Sequence, residues 1–497
     1  MPRTGQDYLD SLRDERCIYI DGEQVDDVTT HPAFAGAARS VAELYDFAAD
    51  PANRDLMTYE TEDGSRAHVM YMIPRTEEDL VHRRKGLRAW SEQTLGLMGR
   101  SPDHVAGFIA GFAGGKEVFA RAGQRYADNV EAFYRFARDN DLYCSYTIVP
   151  PQIDRSKMAH EQSDPHLYAG VKEERDDGIV IQGAQMLGTG AVLSDYIQLS
   201  TITPLRPGDE DYAISVMIPV SAPGVKLLSR RSYAQAANSV FDYPLSSRFD
   251  ETDSLAVFDE VFVPWEHVFV YRDLQLVQDQ WWETAAHVLG NNQAQIRLGV
   301  KLDFLTGLAH RITEAQGSIS LPPVKGSLGG IAAFTAMFNG LVYGAEQNAQ
   351  LDDYGVMVPG RAESYSVMTL QSELYPRLIT MVRELCGGGL IQLPSSVEDF
   401  KNPEIAAQLE RYVRSADMGS QDRVKLFKMA WDLIGSEFAS RHQQYEMFYA
   451  GAPFIVKMRM YLNYDFDRAK ALVDHAAAGY DLDGLTGPES QTRQPVS

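Results

Sequence analysis

The chain has 497 residues, of which 44% are hydrophobic and 23% are charged, and its formal net charge is −23. These proportions are typical of a globular protein, and the length allows a large core divided into two or three subdomains. The acidic balance argues against nucleic-acid binding, which needs basic stripes, and we find no apolar run of about 18 residues that would predict a membrane span. The first residues lack the apolar segment of a signal peptide, so we expect a cytoplasmic protein.

Residues 1–140 are predicted to form mainly helices. Apolar residues recur at three- and four-residue spacing from 77 to 100 and from 116 to 138, which is the pattern of helices with one buried face. In the second run this face consists of Phe119, Tyr126, Val130, Phe133 and Ala137. We therefore expect an N-terminal helical domain.

Residues 141–272 have a different pattern, in which short apolar runs alternate with Pro, Gly and Asp. The runs are YCSYTIVPP, HLYAGV, GIVIQGAQM, DYIQLSTIT, YAISVMIPV and SLAVFDEVFVPWEHVFV. Runs of this kind between turn formers are typical of strands, and no helix-length segments separate them. The pattern predicts a compact middle β domain.

Residues 273–480 are again predicted to be helical and to form a C-terminal bundle. Helices are expected at about 274–315, 328–350, 361–386, 419–448 and 465–478. The tail at 481–497 is polar and rich in turn formers, so we expect it to be mobile. The whole pattern predicts an α+β fold in which a β sandwich or barrel lies between two helical layers.

Common phosphate, metal and hydrolase motifs are missing from the sequence. The run Gly188-Thr189-Gly190 comes closest to a dinucleotide fingerprint, but Leu193 stands where the third glycine should be. No phosphate-binding loop, HExxH or GxSxG occurs. The cysteines are too scattered for a disulfide framework or a Cys-rich zinc site, so no metal site is predicted; they are Cys17, Cys144 and Cys386.

Nine segments, taken in order, resemble one known family. They are RTGQDYLDSLRD, DGEQVDDVTTHPAF, TLGLMGRSPDHV (94–105), IVPPQIDRS (148–156), GAQMLGTGA (183–191), PLSSRFDE (244–251), FDEVFVPWEHVFVYRD (258–273), HVLGNNQAQIRLGVKLDFLTGLA (287–309) and GGGLIQLPSS (387–396). From about residue 3 to about 460 the chain is similar to the 4-hydroxyphenylacetate 3-hydroxylase family, which are flavin-dependent oxygenases built like acyl-CoA dehydrogenases.

The resemblance implies the fold, the cofactor and the partners. We expect an acyl-CoA dehydrogenase-like arrangement of helical domain, β domain and helical bundle, assembled as a homotetramer. A separate flavin reductase would supply reduced FAD, which with O2 forms a C4a-hydroperoxyflavin that hydroxylates a phenol beside its existing hydroxyl. This agrees with the missing dinucleotide fingerprint, since no nicotinamide site is needed.

The resemblance also implies the catalytic residues. A phenol must become phenolate-like before its ortho carbon is nucleophilic, and Arg100, at the end of the helix predicted for 77–100, is the expected cation. Many family members carry Tyr where this chain has His104, and His where it has Tyr146. We expect the exchanged set to be retained around the substrate hydroxyl, with His104 as general base and Tyr146 as hydrogen-bond donor. The alternative is a pocket adapted to a different phenol.

Further residues are expected at the substrate and the cofactor. His287 and Thr201 are predicted to line the substrate pocket, although a core histidine and an ordinary strand threonine are the plain alternatives. The predicted FAD contacts, by resemblance, are Thr147, Gln152, Arg155, Thr189, Arg297 (to the phosphates), Gly388 and Tyr445. The alternatives for these are turns between strands, a glycine turn and an aromatic helix face in the core.

The identity of the phenol is left open between three classes. We favour a tyrosine-like phenol, free or tethered to a carrier protein in a natural-product pathway, over 4-hydroxyphenylacetate or a chlorophenol. The 4-hydroxybutyryl-CoA dehydratases share the fold but hold an iron–sulfur cluster, and the segment MGRSPDH offers no thiolate to ligate one. A third alternative is a flavin-storage or scaffold protein without catalysis.

Overall fold

A computed structural model describes residues 2–482 and 484–485. Its first helices are α1 (Gly5–Ser11), α2 (Ala35–Ala49), α3 (Arg54–Met57), α4 (Glu77–Gln93), α5 (Pro102–Gly114), α6 (Glu117–Ala120) and α7 (Gln124–Asp139). Helix α8 (Ser246–Phe249) lies among the strands. The remaining helices are α9 (Leu276–Trp282), α10 (Ala286–Ala315), α11 (Pro322–Gln347), α12 (Arg361–Cys386), α13 (Glu398–Lys401), α14 (Pro403–Tyr412), α15 (Ser420–Ile434), α16 (Glu437–Phe448), α17 (Pro453–Asn463) and α18 (Phe466–Ala477).

The strands lie mainly between α7 and α9. They are β1 (Cys17–Ile20), β2 (Glu23–Gln24), β3 (Thr58–Glu60), β4 (Arg66–His68), β5 (Cys144–Thr147), β6 (Gly170–Arg175), β7 (Gly178–Gln185), β8 (Tyr196–Leu199), β9 (Ile214–Pro219), β10 (Val225–Ser229), β11 (Ser254–Pro264), β12 (Val268–Tyr271), β13 (Gln350–Leu351), β14 (Met357–Val358), β15 (Tyr480–Asp481) and β16 (Gly484–Leu485). The predicted order of helical, β and helical regions is therefore observed. Residues 483 and 486–497, part of the tail that we predict to be mobile, lie outside the described residues.

Two sheets form the β region. One has the strand order β2-β1-β10-β11-β7-β6 and the other the order β12-β9-β8-β5. Strand β1 runs parallel to β10, with Cys17 opposite Lys226. The N-terminal region, which we predict to be mainly helical, thus also contributes two strands to the larger sheet.

The helix predicted for residues 77–100 ends early, and Arg100 does not belong to it. Helix α4 stops at Gln93, and Leu95 and Gly96 take positive φ values of 56° and 67°. A Cβ on Gly96 would lie 2.6 Å from the carbonyl oxygen of Arg297, so only glycine fits this turn. Arg100 instead stands two residues before the start of α5.

Helices α5 and α10 form the centre of the molecule. Both are buried over most of their length, and glycines on α5 allow their backbones to approach closely. A Cβ on Gly107 would lie 3.1 Å from the carbonyl oxygen of Leu289, and one on Gly111 would overlap Ala286. This close packing brings the N-terminal end of α5 against the second and third turns of α10.

Helix α11 is exposed along much of its length although it is apolar. Met337 and Tyr343 are 36% and 48% exposed, and a Cβ added at Gly326, Gly329 or Gly340 would meet no atom within 4 Å. By length and composition it is the one helix in the described part of the chain that could cross a membrane, although the sequence pattern predicts no membrane span. Its outer face consists of small and apolar residues, as in helices that pack against another helix.

Candidate functional site

The segment before α5 holds Arg100 at the junction of the three regions. Ser101 is the N-cap of α5 and Pro102 its first residue, a position where proline fits because the missing N–H needs no partner. The backbone N–H of Arg100 donates to Glu251 Oε2 at 2.8 Å, and its carbonyl accepts from the Tyr143 hydroxyl at 2.5 Å. These bonds fix the direction in which the Arg100 side chain leaves the backbone.

The Arg100 guanidinium lies among aromatic rings. Its Cζ is 5.2 Å from the ring centres of both Tyr146 and Tyr445. Nη1 is 2.6 Å from His104 Nε2, and Nη2 donates to the carbonyl oxygen of Tyr449 at 3.3 Å. Burial acts to lower the pKa of Arg100, but Tyr146, Tyr445 and Glu251 raise it above its usual value. No carboxylate in the described ranges forms an ion pair with this guanidinium, so its charge is left unpaired.

His104 is neutral and its proton position is determined by its neighbours. A guanidinium can only donate, so Nε2 must accept from Arg100 and the ring proton must sit on Nδ1. There it faces Gln293 Oε1 at 3.1 Å. Burial first, and the charge of Arg100 second, hold the pKa of His104 well below its usual range. A histidine in this state is a weak proton acceptor at neutral pH.

The structure brings Arg100, His104 and Tyr146 together. The rings of His104 and Tyr146 lie 5.6 Å apart between centres, and Phe108, one turn along α5, lies 5.2 Å from His104 and 5.6 Å from Tyr146. Trp281 packs edge-on against Phe108 at 5.6 Å. A cation, a neutral imidazole and a phenol hydroxyl thus share one aromatic-walled region.

Thr201 and His287 lie at different distances from this cluster. The carbonyl of Thr201 accepts from the indole N–H of Trp281 at 3.1 Å. Trp281 in turn packs against Phe108, so Trp281 alone separates this threonine from Phe108. His287 instead contacts Trp282, at 4.4 Å between ring centres, and the Tyr365 hydroxyl, at 3.3 Å. Burial lowers the pKa of His287 to about 3. The contacts of His287 therefore join α10 to α12 rather than to the Arg100 cluster.

Thr147 and Thr189 lie beside the same cluster. Thr147 is fully buried, and its hydroxyl has no hydrogen-bond partner among the described residues. The turn that contains Thr189 packs against it, since a Cβ on Gly188 would lie 3.3 Å from the Thr147 methyl group. Gly190 has a φ of 73°, and a Cβ there would overlap the Tyr143 hydroxyl. The Thr147 hydroxyl is thus a buried polar group without a partner, next to a glycine turn that is itself buried.

Other predicted cofactor residues are scattered. Gln152 and Arg155 are exposed on the loop after β5, and Gly388 is exposed at the end of α12. No hydrogen bond of the Gln152 or Arg155 side chain is found among the described residues, and the roles of all three residues stay predictions.

Arg297 has a different partner from the one that we predict. It is 1% exposed, and its Nη1 and Nη2 donate to Glu446 at 2.5 and 3.0 Å. Lys301 Nζ adds a bond to Glu446 of 2.9 Å. The guanidinium is therefore enclosed and compensated by a carboxylate, a placement that does not support a contact with FAD phosphates.

Tyr445 stands between three cations. Its ring centre lies 5.2, 5.4 and 5.1 Å from the guanidinium carbons of Arg100, Arg297 and Arg441. Burial raises the pKa of Tyr445 to about 12, and its hydroxyl has no partner among the described residues. It contacts Arg100 directly, which distinguishes it from an aromatic residue that packs only in the core.

Sequence reasoning missed Gln293, Glu251 and Tyr449. All three contact Arg100 or His104. For Gln293 the available signal was the amide-rich run Asn291-Asn292-Gln293 inside a predicted helix, since buried amides need specific partners. In the described part of the chain no group of three or more His, Cys, Asp or Glu side chains is arranged to hold a metal ion.

Comparisons with known proteins agree over nearly the whole chain. The family models named 4-hydroxyphenylacetate 3-hydroxylase N terminal and C terminal match residues 4–270 and 277–478. The 4-hydroxyphenylacetate 3-monooxygenase oxygenase component of Pseudomonas aeruginosa is 36% identical, over 98% of this chain and 95% of its own. The 4-nitrophenol 2-monooxygenase oxygenase component of a Rhodococcus species is 35% identical, over 98% and 94%.

A third relative acts on a substrate held by a carrier. It is the Streptomyces globisporus monooxygenase named for (3S)-3-amino-3-(3-chloro-4-hydroxyphenyl)propanoyl on the peptidyl-carrier protein SgcC2, and it is 34% identical over 99% of this chain and 94% of its own.

Solved structures confirm the predicted fold. The oxygenase component of 4-hydroxyphenylacetate 3-monooxygenase, complexed with FAD and 4-hydroxyphenylacetate, has a TM-score of 0.90 at 34% identity, covering 96% of this chain and 99% of that one. A 4-hydroxybutyryl-CoA dehydratase from N. maritimus, with a TM-score of 0.88 and 21% identity over 99% of this chain and 98% of that one, shares the fold. The chain belongs to the 4-hydroxyphenylacetate 3-hydroxylase family.

Proposed function

We propose that this chain is the oxygenase component of a two-component monooxygenase that adds a hydroxyl group ortho to the hydroxyl of a phenol. The phenol, O2 and reduced FAD give the catechol, water and oxidised FAD. One oxygen atom of O2 enters the ring and the other leaves as water. The two electrons come from reduced FAD made by a separate reductase.

The unpaired charge of Arg100 is the observation that carries this proposal. A free phenol has a pKa of about 10, so roughly one molecule in a thousand is ionised at pH 7. Lowering that pKa by one unit needs about 1.4 kcal/mol of preference for the anion. A buried cation without a carboxylate partner can supply about two units, and the rings of Tyr146 and Phe108 offer an apolar wall for the substrate ring.

The residues beside Arg100 fit a flavin. The unpaired Thr147 hydroxyl is a buried polar atom that needs a partner, and the Gly188–Gly190 turn packs next to it. These groups would bind the ring, with Thr189 beside them and with Gln152, Arg155, Gly388 and Tyr445 as further proposed contacts. When bound, reduced FAD supplies the electrons and activates O2, and solved structures of relatives carry FAD.

The substrate that we propose is a tyrosine-like phenol, free or held by a carrier protein. The Streptomyces globisporus relative is named for a carrier-bound β-tyrosine derivative, and the exchange of His104 and Tyr146 sets this chain apart from the pattern typical of 4-hydroxyphenylacetate enzymes. The alternatives are 4-hydroxyphenylacetate and a chlorophenol. Thr201 and His287 remain proposed substrate contacts.

The iron–sulfur dehydratase reaction is not favoured. Its ligands would have to be thiolates or imidazoles close together, and Cys144 and Cys386 lie on different elements, at the start of β5 and the end of α12. The likeness to the dehydratase is one of fold alone.

A panel of phenols tests the function. The protein is mixed with chemically reduced FAD, O2 and one of several phenols: free tyrosine, carrier-bound tyrosine, 4-hydroxyphenylacetate and a chlorophenol. We expect catechol from a tyrosine-like member, identified by mass spectrometry. Peroxide without any hydroxylated product would contradict the proposal and favour a flavin-storage protein.

We also propose a cytoplasmic homotetramer. The apolar outer face of α11 and a second exposed face on α17, with Phe454 at 72%, Met458 at 58% and Leu462 at 63% exposure, are larger than single scattered residues would produce. Burial of these two faces between copies of the chain would explain why both helices carry exposed apolar residues.

A further inference from the structure

We propose that Gln293 is a positioning residue, which fixes the tautomer of His104 and through it the direction of the Arg100 guanidinium. This inference rests on the function proposed above, because it concerns the cation that would meet the phenol. Gln293 lies on α10, 189 positions away from His104 in the sequence, and is completely buried.

The amide of Gln293 can point in only one direction. Its Nε2 donates to Asp103 Oδ1 at 3.0 Å and to Ser101 Oγ at 3.3 Å, and the Ser101 hydroxyl donates to the same carboxylate at 2.5 Å. Burial raises the pKa of Asp103 to about 6, so at neutral pH it is mostly ionised. An ionised carboxylate only accepts hydrogen bonds, so the N–H end of the amide must face Asp103. The carbonyl end then faces His104.

That orientation determines what His104 offers to Arg100. Because Gln293 Oε1 accepts at Nδ1, the imidazole carries its proton there and presents the bare Nε2 to Arg100, at 2.6 Å. The opposite tautomer would set an N–H against a guanidinium N–H, two donors that repel each other. Without Gln293, His104 is no longer held in the tautomer whose Nε2 accepts from Arg100 Nη1. The guanidinium then has no fixed orientation towards the substrate oxygen.

The test measures the ionisation of a bound phenol, without flavin and without turnover. The probe is 4-nitrophenol, whose phenolate is coloured, titrated in the presence of saturating full-length protein. In Gln293→Met, which keeps the side-chain length and removes both hydrogen-bonding ends, we expect the pKa of the bound probe to rise by about one unit, a tenfold weaker preference for the anion.

Gln295→Met is the matched control. Gln295 is also buried on α10, but its Nε2 donates to the carbonyl of Ser364 on α12 at 3.0 Å, so a shift of the bound probe's pKa in this variant is not expected. If Gln293→Met yields no folded protein, Gln293→Asn replaces it, since the shorter amide withdraws from His104. The effect of either variant should vanish in a His104→Ala background, because Gln293 acts through that ring.

An unchanged pKa of the bound probe in the folded Gln293 variant, an equal shift in Gln295→Met, or an undiminished shift in the His104→Ala background would overturn the inference. These outcomes are separate from the failure of the proposed function, which would appear as a wild-type protein that binds 4-nitrophenol as phenolate yet hydroxylates no phenol.

Discussion

Arg100 is the residue on which the proposed chemistry of this site depends. Its guanidinium is buried, is oriented by His104 and the Tyr449 carbonyl, and forms no ion pair with a carboxylate among the described residues. The sequence identified Arg100, His104 and Tyr146 because a known motif surrounds them. It could not identify the bond from Arg100 to His104, because that contact depends on the loop after α4 and on how α5 packs against α10.

Replacing Arg100 by Met should abolish most hydroxylation. Losing about two units of phenol pKa depression corresponds to about a hundredfold loss in product formation. Arg125→Met is the control, since Arg125 also stacks on aromatic rings, those of Tyr126 and Trp265, but lies outside the site. Product formation under single-turnover conditions should fall in the first variant and not in the second; equal rates would show that Arg100 is dispensable.

Two variants of His104 separate a positioning role from a base role. In His104→Ala we expect slower hydroxylation, because Arg100 loses its acceptor. In His104→Gln we expect partial recovery, because an amide oxygen can accept from Arg100 although it is no base. Rates measured across pH decide between them. Near-normal turnover and an unchanged pH profile in His104→Ala would refute both roles, and equally low rates in both variants would favour the base.

Glu446→Gln should destabilise the protein by about 3–5 kcal/mol, because Arg297 and Lys301 would be left with no buried carboxylate. Burial works to raise the pKa of Glu446, but these two cations hold it down at about 2. Since the folded pKa lies below the unfolded one, the stabilisation is present above about pH 4.5 and is lost as pH falls towards 2.

Urea unfolding at several pH values measures this effect. Glu437→Gln, on the same helix but 64% exposed at its side chain, is the control and should change stability by no more than about 0.5 kcal/mol. A similar stability of the two variants at pH 7 would contradict the importance of the buried pair.

At the scale of elements, sequence periodicity predicted the presence of helices better than the positions of their ends. The helix predicted for 361–386 coincides with α12, whereas the one predicted for 77–100 stops at Gln93. The reason is tertiary packing. Gly96 adopts its left-handed conformation where the loop contacts α10, and no local sequence pattern predicts that contact. Strand β1 was missed because its four residues pair with a strand 209 positions away, Cys17 with Lys226, and have no distinctive periodicity.

Gly96→Ala should disturb the loop that carries Arg100. The residue has a φ of 67°, and an added Cβ would lie 2.6 Å from the Arg297 carbonyl oxygen and the Lys301 nitrogen, so we expect a loss of about 1–3 kcal/mol of stability together with slower hydroxylation. Thermal unfolding and single-turnover rates measure the two effects.

Gly307→Ala is the control, because Gly307 lies on the exposed side of α10 and an added Cβ meets nothing within 4 Å. Alanine there should stabilise the helix slightly, by about 0.5–1 kcal/mol. If Gly96→Ala behaves like Gly307→Ala, the turn is not what fixes Arg100.

At the scale of the whole molecule, the order of the nine motif segments predicted the fold that the solved relatives confirm. Composition could not predict which surfaces are left apolar, because hydrophobic residues on helices α11 and α17 look the same in sequence whether they face the core of one chain or a second copy. Only the packed structure shows that these residues do not face the core of their own chain.

Charged substitutions on α17 should break the proposed tetramer. Phe454→Asp combined with Leu462→Asp is expected to lower the mass measured by light scattering from that of a tetramer to a smaller species, because charges would be buried between copies. Ile391→Asp, at an isolated side chain that is 81% exposed, should leave the mass unchanged. An unaltered mass in the double variant would place the interface elsewhere.

The most direct test of the account is a single turnover under isotopically labelled oxygen. The protein, loaded with chemically reduced FAD and a tyrosine-like phenol, is mixed with ¹⁸O2, and the product is analysed by mass spectrometry for wild type and Arg100→Met. We predict a catechol with one labelled oxygen in the wild type and almost none in the variant. A wild type that releases only peroxide, or a variant that hydroxylates as well as the wild type, would contradict it.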